Sequence, residues 1–464
     1  MRARGSILVG LLWCLALLAV VVIGVLHTAR LDLMVVKNYG DQIQARYLAL
    51  AGIEKAKALL YQDALNRTHS QVNHSAALYD DPQDLRDVPL GRGHFSVFHP
   101  AGPDAGDQTI FGLSDEESRL NVNNASPEEL SRLDQMTPDI VAAIQDWRDA
   151  DNTVTPGGAE ADYYAGLQPP YLPRNGPLET IGELLMVRGI TPGLLFGRGA
   201  TSTQAPAANS AGTDDTLPQA ESEAGWARLL TVDSTVDNVN AAGQTRVNLQ
   251  SDDERALTGV PGISTEIARA IVAYRDQNRL ENVASLLDVT AAPAQNNPGA
   301  PGGVPAAPGA PALAPMGAPI TPNTPGGAPG APSGPKVIGP DLLEDIADEV
   351  TVEAGASQPG LINLNTADPG VLACLNGLTP ELAQAIVNYR QSNGFFPNPA
   401  WLLKVPGITP DIFRQVAPRL TARSETYRIL AEGRVDSTGA RARLQVVVHV
   451  GLHTLETLAY QEGL

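Results

Sequence analysis

Lysine is one of the residue types that this sequence almost lacks. Five lysines (Lys37, Lys55, Lys57, Lys336 and Lys404) are spread over 464 residues, and the formal net charge is -19. A surface that binds nucleic acid needs clustered positive charge to neutralise phosphates. The scarcity of lysine and the acidic balance therefore argue against a nucleic-acid partner.

Cysteine is scarcer still, with Cys14 inside an apolar run and Cys374 far from it in the chain. Two such residues cannot form a disulfide framework, and they do not indicate a redox compartment. The sequence also has no P-loop, no Gly-x-Gly-x-x-Gly that opens a helix after a strand, and no nucleophile elbow. We therefore predict that the protein is not an enzyme.

A long apolar run follows immediately after the first five residues. Residues 6–26 carry no charge, and about 20 such residues span the ~30 Å hydrocarbon core of a bilayer. No proline follows up to Gln62, and apolar residues recur at helical spacing, which predicts one helix over 6–62. Arg2 and Arg4 on the short side predict a cytoplasmic N-terminus and an outer bulk. A cleaved secretory signal and a plain single-span anchor are the alternatives.

An internal repeat occupies the middle of the chain. A segment that contains Asn-x-Asn or a close variant occurs three times, at 119–126, 246–253 and 361–368. Each copy precedes a helix with a Thr or Ser N-cap that ends in an aromatic residue and an arginine, at 137–148, 264–275 and 379–390. Together with Gly-Ile turns, this pattern resembles helix-hairpin-helix modules. In members of that class that bind DNA, basic residues support the hairpin, and such support is thin here.

An acidic loop in the first repeat is the most specific chemical feature. Residues 146–177 combine many carboxylates with Gly and Pro. Hard oxygen ligands in a flexible loop suit Ca²⁺, which takes six to eight oxygens. Zn²⁺ is not expected, because no Cys or His lies near. A solvated acidic loop without a metal is the alternative.

The N-terminal region resembles the type IV pilins and the pseudopilins of type II secretion. The residues that carry this resemblance are the Arg-x-Arg-Gly leader, the immediate apolar run and the amphipathic continuation. The resemblance implies that a prepilin peptidase cuts between Gly5 and Ser6 and methylates the new amine. The family usually has Glu at mature position five, where this chain has Gly10, and a bulky apolar first residue, where it has Ser6.

The missing glutamate has a physical consequence. In the family, the Glu of an incoming subunit neutralises the N-terminal ammonium of the subunit ahead inside the lipid, where an unpaired charge is costly. A subunit with Gly10 is therefore expected only at the filament tip. The resemblance implies a minor pseudopilin in the inner membrane with a periplasmic bulk. Its expected partners are other minor pseudopilins, the prepilin peptidase and, during export, the substrate or the secretin.

The loop resembles the calcium-binding loop of such tip subunits. Carried over, the resemblance implies Ca²⁺ ligands at Asp149, Asp151, Glu160 and Asp162, with Asn175 and backbone carbonyls as further candidates. The second and third repeats lack the acidic cluster and are expected to bind no metal.

The predicted fold class is α+β. A pilin-like N-terminal helix packs on an antiparallel sheet, into which a region of helix-hairpin-helix-like (SAM-like) repeats is inserted. The predicted segments are a leader (1–5), the helix (6–62), the first sheet part (63–117), helical unit one (118–199), a linker (200–225), unit two (226–290), a Pro/Gly/Ala-rich disordered linker (291–340), unit three (341–420) and the final strands (421–464). A membrane-anchored DNA-binding protein for DNA uptake and a generic anchored scaffold are the competing functions.

Overall fold

The computed structural model describes residues 5–70, 78–100, 109–197, 225–291, 335–452 and 454–463. Most of the predicted leader, nearly all of the linker 200–225 and most of the linker 291–340 lie outside these residues. The chain divides into a first part, Met1–Thr245 with Gly355–Leu464, and a second part, Arg246–Ala354.

The described residues form both helices and strands, as an α+β fold has. The helices are α1 (Gly5–Ser70), α2 (Pro82–Leu85), α3 (Pro127–Ser131), α4 (Pro138–Arg148), α5 (Ala161–Ala165), α6 (Pro192–Phe196), α7 (Glu254–Thr258), α8 (Thr265–Arg275), α9 (Pro340–Ile346), α10 (Pro369–Ala373), α11 (Pro380–Asn393) and α12 (Pro410–Val416). Short 3₁₀ turns span Ile181–Met186, Trp226–Arg228, Val283–Asp288, Pro399–Lys404 and Ala417–Arg419.

The strands are mostly short. They are β1 (Val88–Leu90), β2 (Gly93–Val97), β3 (His99–Pro100), β4 (Thr109–Ile110), β5 (Ser114–Asp115), β6 (Leu120–Asn121), β7 (Leu230–Thr231), β8 (Thr235–Asp237), β9 (Val247–Asn248), β10 (Val350–Thr351), β11 (Ser357–Pro359), β12 (Ile362–Asn363), β13 (Leu420–Thr421), β14 (Thr426–Val435), β15 (Arg441–Val450) and β16 (Leu455–Glu462).

Helix α1 is a single uninterrupted element of 66 residues, eight residues longer at its C-terminal end than predicted. The absence of proline and the run of good helix formers explain its length. Its apolar start has a mean hydropathy of 2.9 over 18 residues, and none of that window is buried, so by length and composition it could cross a membrane.

The second half of α1 packs on the main sheet. Ala49, Ile53, Ala56 and Leu60 repeat at helical spacing and are buried against Val97, Ile429, Ala431 and Val446 of the strands. In the centre of β14 and in β15 around Leu444, buried residues alternate with half-buried ones at a period of two.

Glycine permits the closest approach between the helix and the sheet. A side chain at Gly433 of β14 would lie 2.1 Å from the carbonyl oxygen of Ala45 and 2.5 Å from the backbone nitrogen of Ala49. A larger residue would push α1 off β14.

The main sheet is antiparallel, in the order β1-β2-β14-β15-β16, and β5 also pairs with β14. Strands β14 and β15 form the predicted hairpin around Asp436–Gly439, where the Val435 amide donates to the Ala440 carbonyl at 2.9 Å. The strands before and after the helical units therefore share one sheet, which confirms the predicted α+β class.

A buried ion network joins the end of α1 to the sheet. Glu425 is 1% exposed, and its Oε1 lies 3.4 Å from Nε of Arg423 and 3.6 Å from Nη1 of Arg67. Arg423 also donates to the carbonyl of Asp237 at 2.6 Å. On the opposite side, His449 Nε2 lies 3.7 Å from Asp237 Oδ1.

This network makes one pH dependence predictable. The pKa of His449 is raised, chiefly by the hydrogen bond to Asp237 and further by the nearby Glu425 and Glu456 carboxylates. A histidine whose pKa is higher in the folded than in the unfolded protein stabilises the fold. This contribution is complete below the unfolded pKa of about 6.5 and is lost as the pH rises through the folded pKa. The pKa of Asp237 is lowered by His449, so its contribution is lost only in acid, as the pH falls through the folded pKa.

The free energy of unfolding of the wild type should therefore exceed that of His449→Gln by more at about pH 6 than at about pH 8. Urea unfolding of both proteins at the two pH values measures this difference, and His94→Gln controls for histidine removal elsewhere in the sheet. A difference that is the same at both pH values would contradict the assignment.

Each helical unit is closed by a two-residue parallel bridge between its first and last strands. The bridges pair β6 with β7, β9 with β10, and β12 with β13. The entry strands read Leu-Asn, Val-Asn and Ile-Asn, and the exit strands read Leu-Thr, Val-Thr and Leu-Thr. The exit strands are a second repeated motif, too short to be predicted from the sequence.

The repeated Asn and Arg residues hold each unit together. In unit three, Asn365 Nδ2 donates to the carbonyls of Phe396 and Ala422 at 3.0 and 2.8 Å. Arg390, at the end of the long helix, donates to the carbonyl of Leu364 at 2.7 Å. Arg148 in unit one and Arg275 in unit two make the corresponding bonds, to the carbonyls of Val122 and Leu249. The aromatic-Arg ending of each helix is therefore structural.

The boundaries of the units differ from the predicted ones. Residues 226–231 close unit one, because Trp226 Nε1 donates to the carbonyl of Asp134 at 2.9 Å and β7 pairs with β6. Residues 335–351, including α9, complete unit two. In the second hairpins of units one and three, Gly189 and Gly407 adopt left-handed backbone conformations.

Candidate metal centre in the first helical unit

Helix α4 and the loop that follows it position a group of carboxylates. Thr137 caps α4 by accepting from the Ile140 amide, and Pro138 occupies the first turn, so the helix is well defined at its start. Asp146 is buried in its last turn, and Asp149 is its C-cap. Glu160 precedes α5 as its N-cap residue without making a side-chain cap bond.

Asp146, Asp149 and Glu160 meet in space. Each offers a carboxylate oxygen, and these oxygens all lie within 4.8 Å of one another. Two ligands on opposite sides of a Ca²⁺ ion at about 2.4 Å each would be about 4.8 Å apart, so the spread of the three oxygens fits one ion.

Several oxygens at this site are buried without a hydrogen-bond donor among the described residues. They are Oδ1 of Asp149, both carboxylate oxygens of Glu160 and Oδ1 of Asn175. Buried acceptors without partners are costly, because they lose their water ligands and gain nothing in return. A positively charged partner would satisfy all of these oxygens.

The charges at the site repel one another. The pKa of Asp149 is raised, first by burial and then by the Asp151 and Asp146 carboxylates. The pKa of Glu160 is also raised, by burial and by the Asp146, Asp149 and Asp151 carboxylates. A divalent cation would reverse this repulsion, because each neighbouring carboxylate would then become a ligand.

Glycine lets the loop close over Asp146. A side chain at Gly158 would lie 2.1 Å from Asp146 Oδ2, so any larger residue would displace the Asp146 carboxylate. The Thr155 amide donates to both oxygens of Asp146 at 3.1 and 3.2 Å. Arg188 donates to the Gly158 carbonyl at 2.9 Å and ties the loop to the end of the unit.

An aromatic cluster packs next to the acidic loop. Trp147 packs edge-on against Tyr164 with ring centroids 5.1 Å apart, and Tyr171 contacts both rings. Trp147 Nε1 donates to Glu183 Oε1 at 3.0 Å, and Arg174 pairs with the same carboxylate at 2.6 Å. These contacts support the segment that carries the clustered carboxylates.

Of the predicted ligands, the structure brings Asp149 and Glu160 together. Asn175 has a left-handed backbone (φ 49°), and its Nδ2 donates to the Asp151 carbonyl at 2.8 Å. Asp151 lies close enough to raise the pKa of both clustered residues, but its Oδ1 accepts from the Thr153 amide at 2.6 Å. Asp162 is exposed in the first turn of α5 and outside the cluster of three.

Asp146 was not predicted as a ligand, although it is central to the cluster. In the sequence it occupies a helical position next to a tryptophan. Only its three-residue spacing from Asp149, combined with Gly157-Gly158 further on, could have indicated that it faces the loop.

A second group of close carboxylate and imidazole atoms consists of Asp237, Glu425 and His449. Arg423 and Arg67 already neutralise this group. We therefore interpret it as an ion network and not as a metal site.

Comparison with known proteins adds two family matches. Residues 118–195 match the model for type II secretion system protein K, and residues 358–421 match the helix-hairpin-helix motif. The first match contains the whole acidic loop.

Two curated relatives and one solved structure are similar to the chain. A type II secretion system protein K from Klebsiella pneumoniae is 30% identical over 213 residues, which cover 42% of this chain and 60% of the relative. One from Pectobacterium carotovorum subsp. carotovorum is 28% identical over 206 residues, 41% of this chain and 59% of the relative. The chain thus matches about three fifths of their length. The crystal structure of the GspK-GspI-GspJ complex from enterotoxigenic Escherichia coli aligns with a TM-score of 0.43 and 13% identity, covering 91% of this chain and 98% of the solved one.

Proposed function

Because the chain belongs to the protein K family of type II secretion, whose members are structural pseudopilins and not enzymes, we propose that it caps the secretion pseudopilus as its tip subunit. In this role it would initiate assembly of the filament and contact the exported substrate or the outer-membrane pore. The whole-protein role is inferred from relatives that match over part of their length.

Gly10 is the observation that carries the tip assignment. A Cβ added at Gly10 would meet no atom within 4 Å, so the packing of this chain does not require glycine there. Among residues 9–26 the large apolar side chains are exposed, as expected for a helix that lipid or other helices surround. A subunit without an acid at this position offers no counter-charge to a subunit ahead of it.

The continuation of α1 supports partner helices beyond the membrane. Val36, Tyr39 and Tyr47 are 69%, 68% and 63% exposed, and at Tyr47 the other side of the helix is packed on the sheet. Such a row of apolar side chains outside the bilayer favours burial against other helices. We propose other minor pseudopilins as these partners, with the N-terminus cytoplasmic and the bulk periplasmic.

We further propose that the acidic loop of unit one binds Ca²⁺. Asp146, Asp149 and Glu160 would hold the ion, with Asn175 Oδ1 as an additional oxygen donor. The bound ion would supply positive charge that fixes the loop between α4 and α5. Asp162, predicted as a ligand, is better explained as a solvated residue.

Processing at the leader separates this proposal from a generic anchored scaffold. Co-expression with a prepilin peptidase should give a mature chain that begins at methylated Ser6, as measured by intact-protein mass. Gly5→Val should block cleavage, whereas Gly10→Val, the same substitution five residues later, should leave it unchanged. An uncleaved wild-type chain would contradict membership of the processed filament.

The tip position is tested by where the chain lies in assembled filaments. Immunogold labelling should find wild-type protein at one end only, and Gly10→Glu should add label along the shaft. Gly24→Glu places the same charge elsewhere in the apolar span, where a Cβ also meets no atom within 4 Å. This variant should not add label along the shaft. Wild-type label along the shaft would contradict the proposal.

A DNA-uptake protein remains the second candidate, because residues 358–421 match the helix-hairpin-helix motif. In unit three, however, Glu381 and Asp411 follow directly after the two hairpins, in the first turns of α11 and α12. These carboxylates would repel the phosphates that such hairpins bind. Salt-sensitive DNA binding by the wild type, lost in Lys404→Gln, would favour this candidate.

A further inference from the structure

The two edges of the main sheet differ in how open they are to a further strand. At one edge, β1 has three residues and contains Pro89, so it offers little backbone for pairing. At the other edge, β16 has eight residues and contains neither proline nor lysine. Within the part of the chain that the structure describes, β16 pairs with β15 alone, so its outer side is a long open edge.

The direction of the backbone groups in β16 follows from the alternation along β15. The Val450 amide donates to the Glu425 carbonyl at 2.7 Å, so the backbone groups of Val450 point away from β16. In an antiparallel pair, every second residue points the same way, and the residues between them bond to the other neighbour. The β16 partners of these intervening residues are Glu456, Ala459 and Gln461.

The other residues of β16 direct their amides and carbonyls to the open side. They are Leu455, Thr457, Tyr460 and Glu462, and the register shifts by one residue at Leu458. Backbone amides and carbonyls are strong hydrogen-bonding groups, and a row of them at strand spacing is matched in full by another extended chain. The open edge therefore defines the kind of partner that fits, which is a strand.

Apolar side chains on β16 are exposed on the face of the sheet that α1 covers elsewhere. Tyr460 pairs with Val446, which is buried against α1, so the two side chains lie on the same face. Tyr460 is nevertheless 47% exposed, and so is Leu458. The reason is distance, because α1 approaches β14 most closely at Gly433, and β16 is two strands, or about 10 Å, from β14.

An exposed apolar flank of α1 faces the same direction as β16. Arg46 of α1 forms an ion pair with Glu462 of β16, so this side of the helix is next to the open edge. Tyr39 and Ile43 precede Arg46 by seven and three residues, which places all three on one flank. Packed helices are about 8–10 Å apart, so a second helix against this flank would lie beneath β16 and cover Tyr460.

We propose that another minor pseudopilin adds a strand to β16 while its long helix packs beside α1, so that one sheet continues through both subunits. A subunit with the same helix-on-sheet architecture supplies a helix for the exposed flank and a strand for the open edge. Addition of a strand to a sheet edge is a general mode of protein recognition. The inference rests on the proposed function, from which it takes the class of partner.

Hydrogen exchange resolved to single amides tests the pairing on wild-type protein. The full chain in nanodiscs is measured alone and after co-expression and co-purification with the other minor pseudopilins of its host. The amides of Thr457, Tyr460 and Glu462 should exchange at least about tenfold more slowly in the complex than in the chain alone, because the added strand accepts from them. The amides of Ala459 and Gln461 bond to β15 and should be protected in both samples.

A pair of variants at one position links assembly to the open edge. Thr457→Pro removes an amide that makes no bond to β15, and it should reduce the affinity for the partner subunits by about tenfold or more. Thr457→Ala removes the same side chain but keeps the amide, and should assemble like the wild type. Thermal unfolding of both variants verifies that they are folded.

The outcomes separate this inference from the proposed function. A complex in which the three outer amides stay unprotected overturns the strand pairing and leaves the choice of partner intact, and so does a Thr457→Pro variant that assembles like Thr457→Ala. The absence of any complex overturns both. Protection of the outer amides that appears in the chain alone and rises with its concentration would identify a second copy of this chain as the occupant, and would also overturn the inference.

Discussion

The Glu160→Gln variant is expected to lose most of the stabilisation by calcium and to be at least as stable as the wild type when calcium is removed. Both oxygens of Glu160 lack a donor among the described residues, and the side chain is 2% exposed. With calcium bound as proposed, the wild type should gain about 2.7 kcal/mol when the free ion is about 100 times its Kd. The variant loses a charged ligand and most of this gain.

Without calcium, the expected difference in stability between the wild type and Glu160→Gln has the opposite sign. The raised pKa values of Glu160 and Asp149 mean that their ionised forms are unfavourable in the folded protein. Removing one charge relieves that repulsion, so Glu160→Gln should be at least as stable as the wild type in a chelator. Thermal unfolding in calcium and in chelator measures both states.

Asp162→Asn is the matched control for this prediction. It removes one carboxylate from the same loop, but Asp162 is exposed and outside the cluster. Its calcium response should equal that of the wild type. An equal loss of calcium stabilisation in both variants would indicate that calcium binds diffusely to an acidic surface. A wild type whose stability does not respond to calcium would exclude the metal centre.

Glu425→Gln should destabilise the protein by about 3–5 kcal/mol, the usual cost of breaking a buried ion pair from one side. The substitution leaves Arg423, which is 2% exposed, and Arg67 without the carboxylate that neutralises both. The Asp237 amide also loses a charged acceptor. Urea unfolding gives the change in free energy.

Glu462→Gln provides the comparison, because Glu462 also pairs an arginine of α1 with the sheet. Its bond to Arg46 is between side chains that are 43% and 47% exposed, so its loss should cost much less than the loss of Glu425. A cost for Glu425→Gln as small as that for Glu462→Gln would mean that water or a rearrangement compensates the two arginines.

The elements that could be predicted from the sequence are those with strong local signals. Helix α1 follows from its composition and lack of proline, and the long helix of each unit follows from its Thr or Ser cap and its spacing. The turn at Asp436–Gly439 indicates the β14–β15 hairpin. These features depend on neighbours in the chain, which a single sequence displays.

The closure of the units and the full ligand set depend on distant residues. A two-residue strand such as Leu230–Thr231 has no detectable period, and its partner at Leu120 is 110 positions away. For the same reason unit two was predicted to end before α9. Asp146 resembled an ordinary helical residue because nothing local shows that Gly158 approaches it.

The two ends of the Pro/Gly/Ala-rich segment are joined at its base. The Ala291 amide donates to the Pro335 carbonyl and the Val337 amide donates to the Val289 carbonyl, both at 3.0 Å. Any chain that enters at 291 and leaves at 335 satisfies this clasp, whatever its length, and doubling a loop costs only about 0.6 kcal/mol in closure entropy. The length and sequence of this stretch can therefore change without loss of the contacts that join its ends. The same position is suited to the insertion of a foreign peptide.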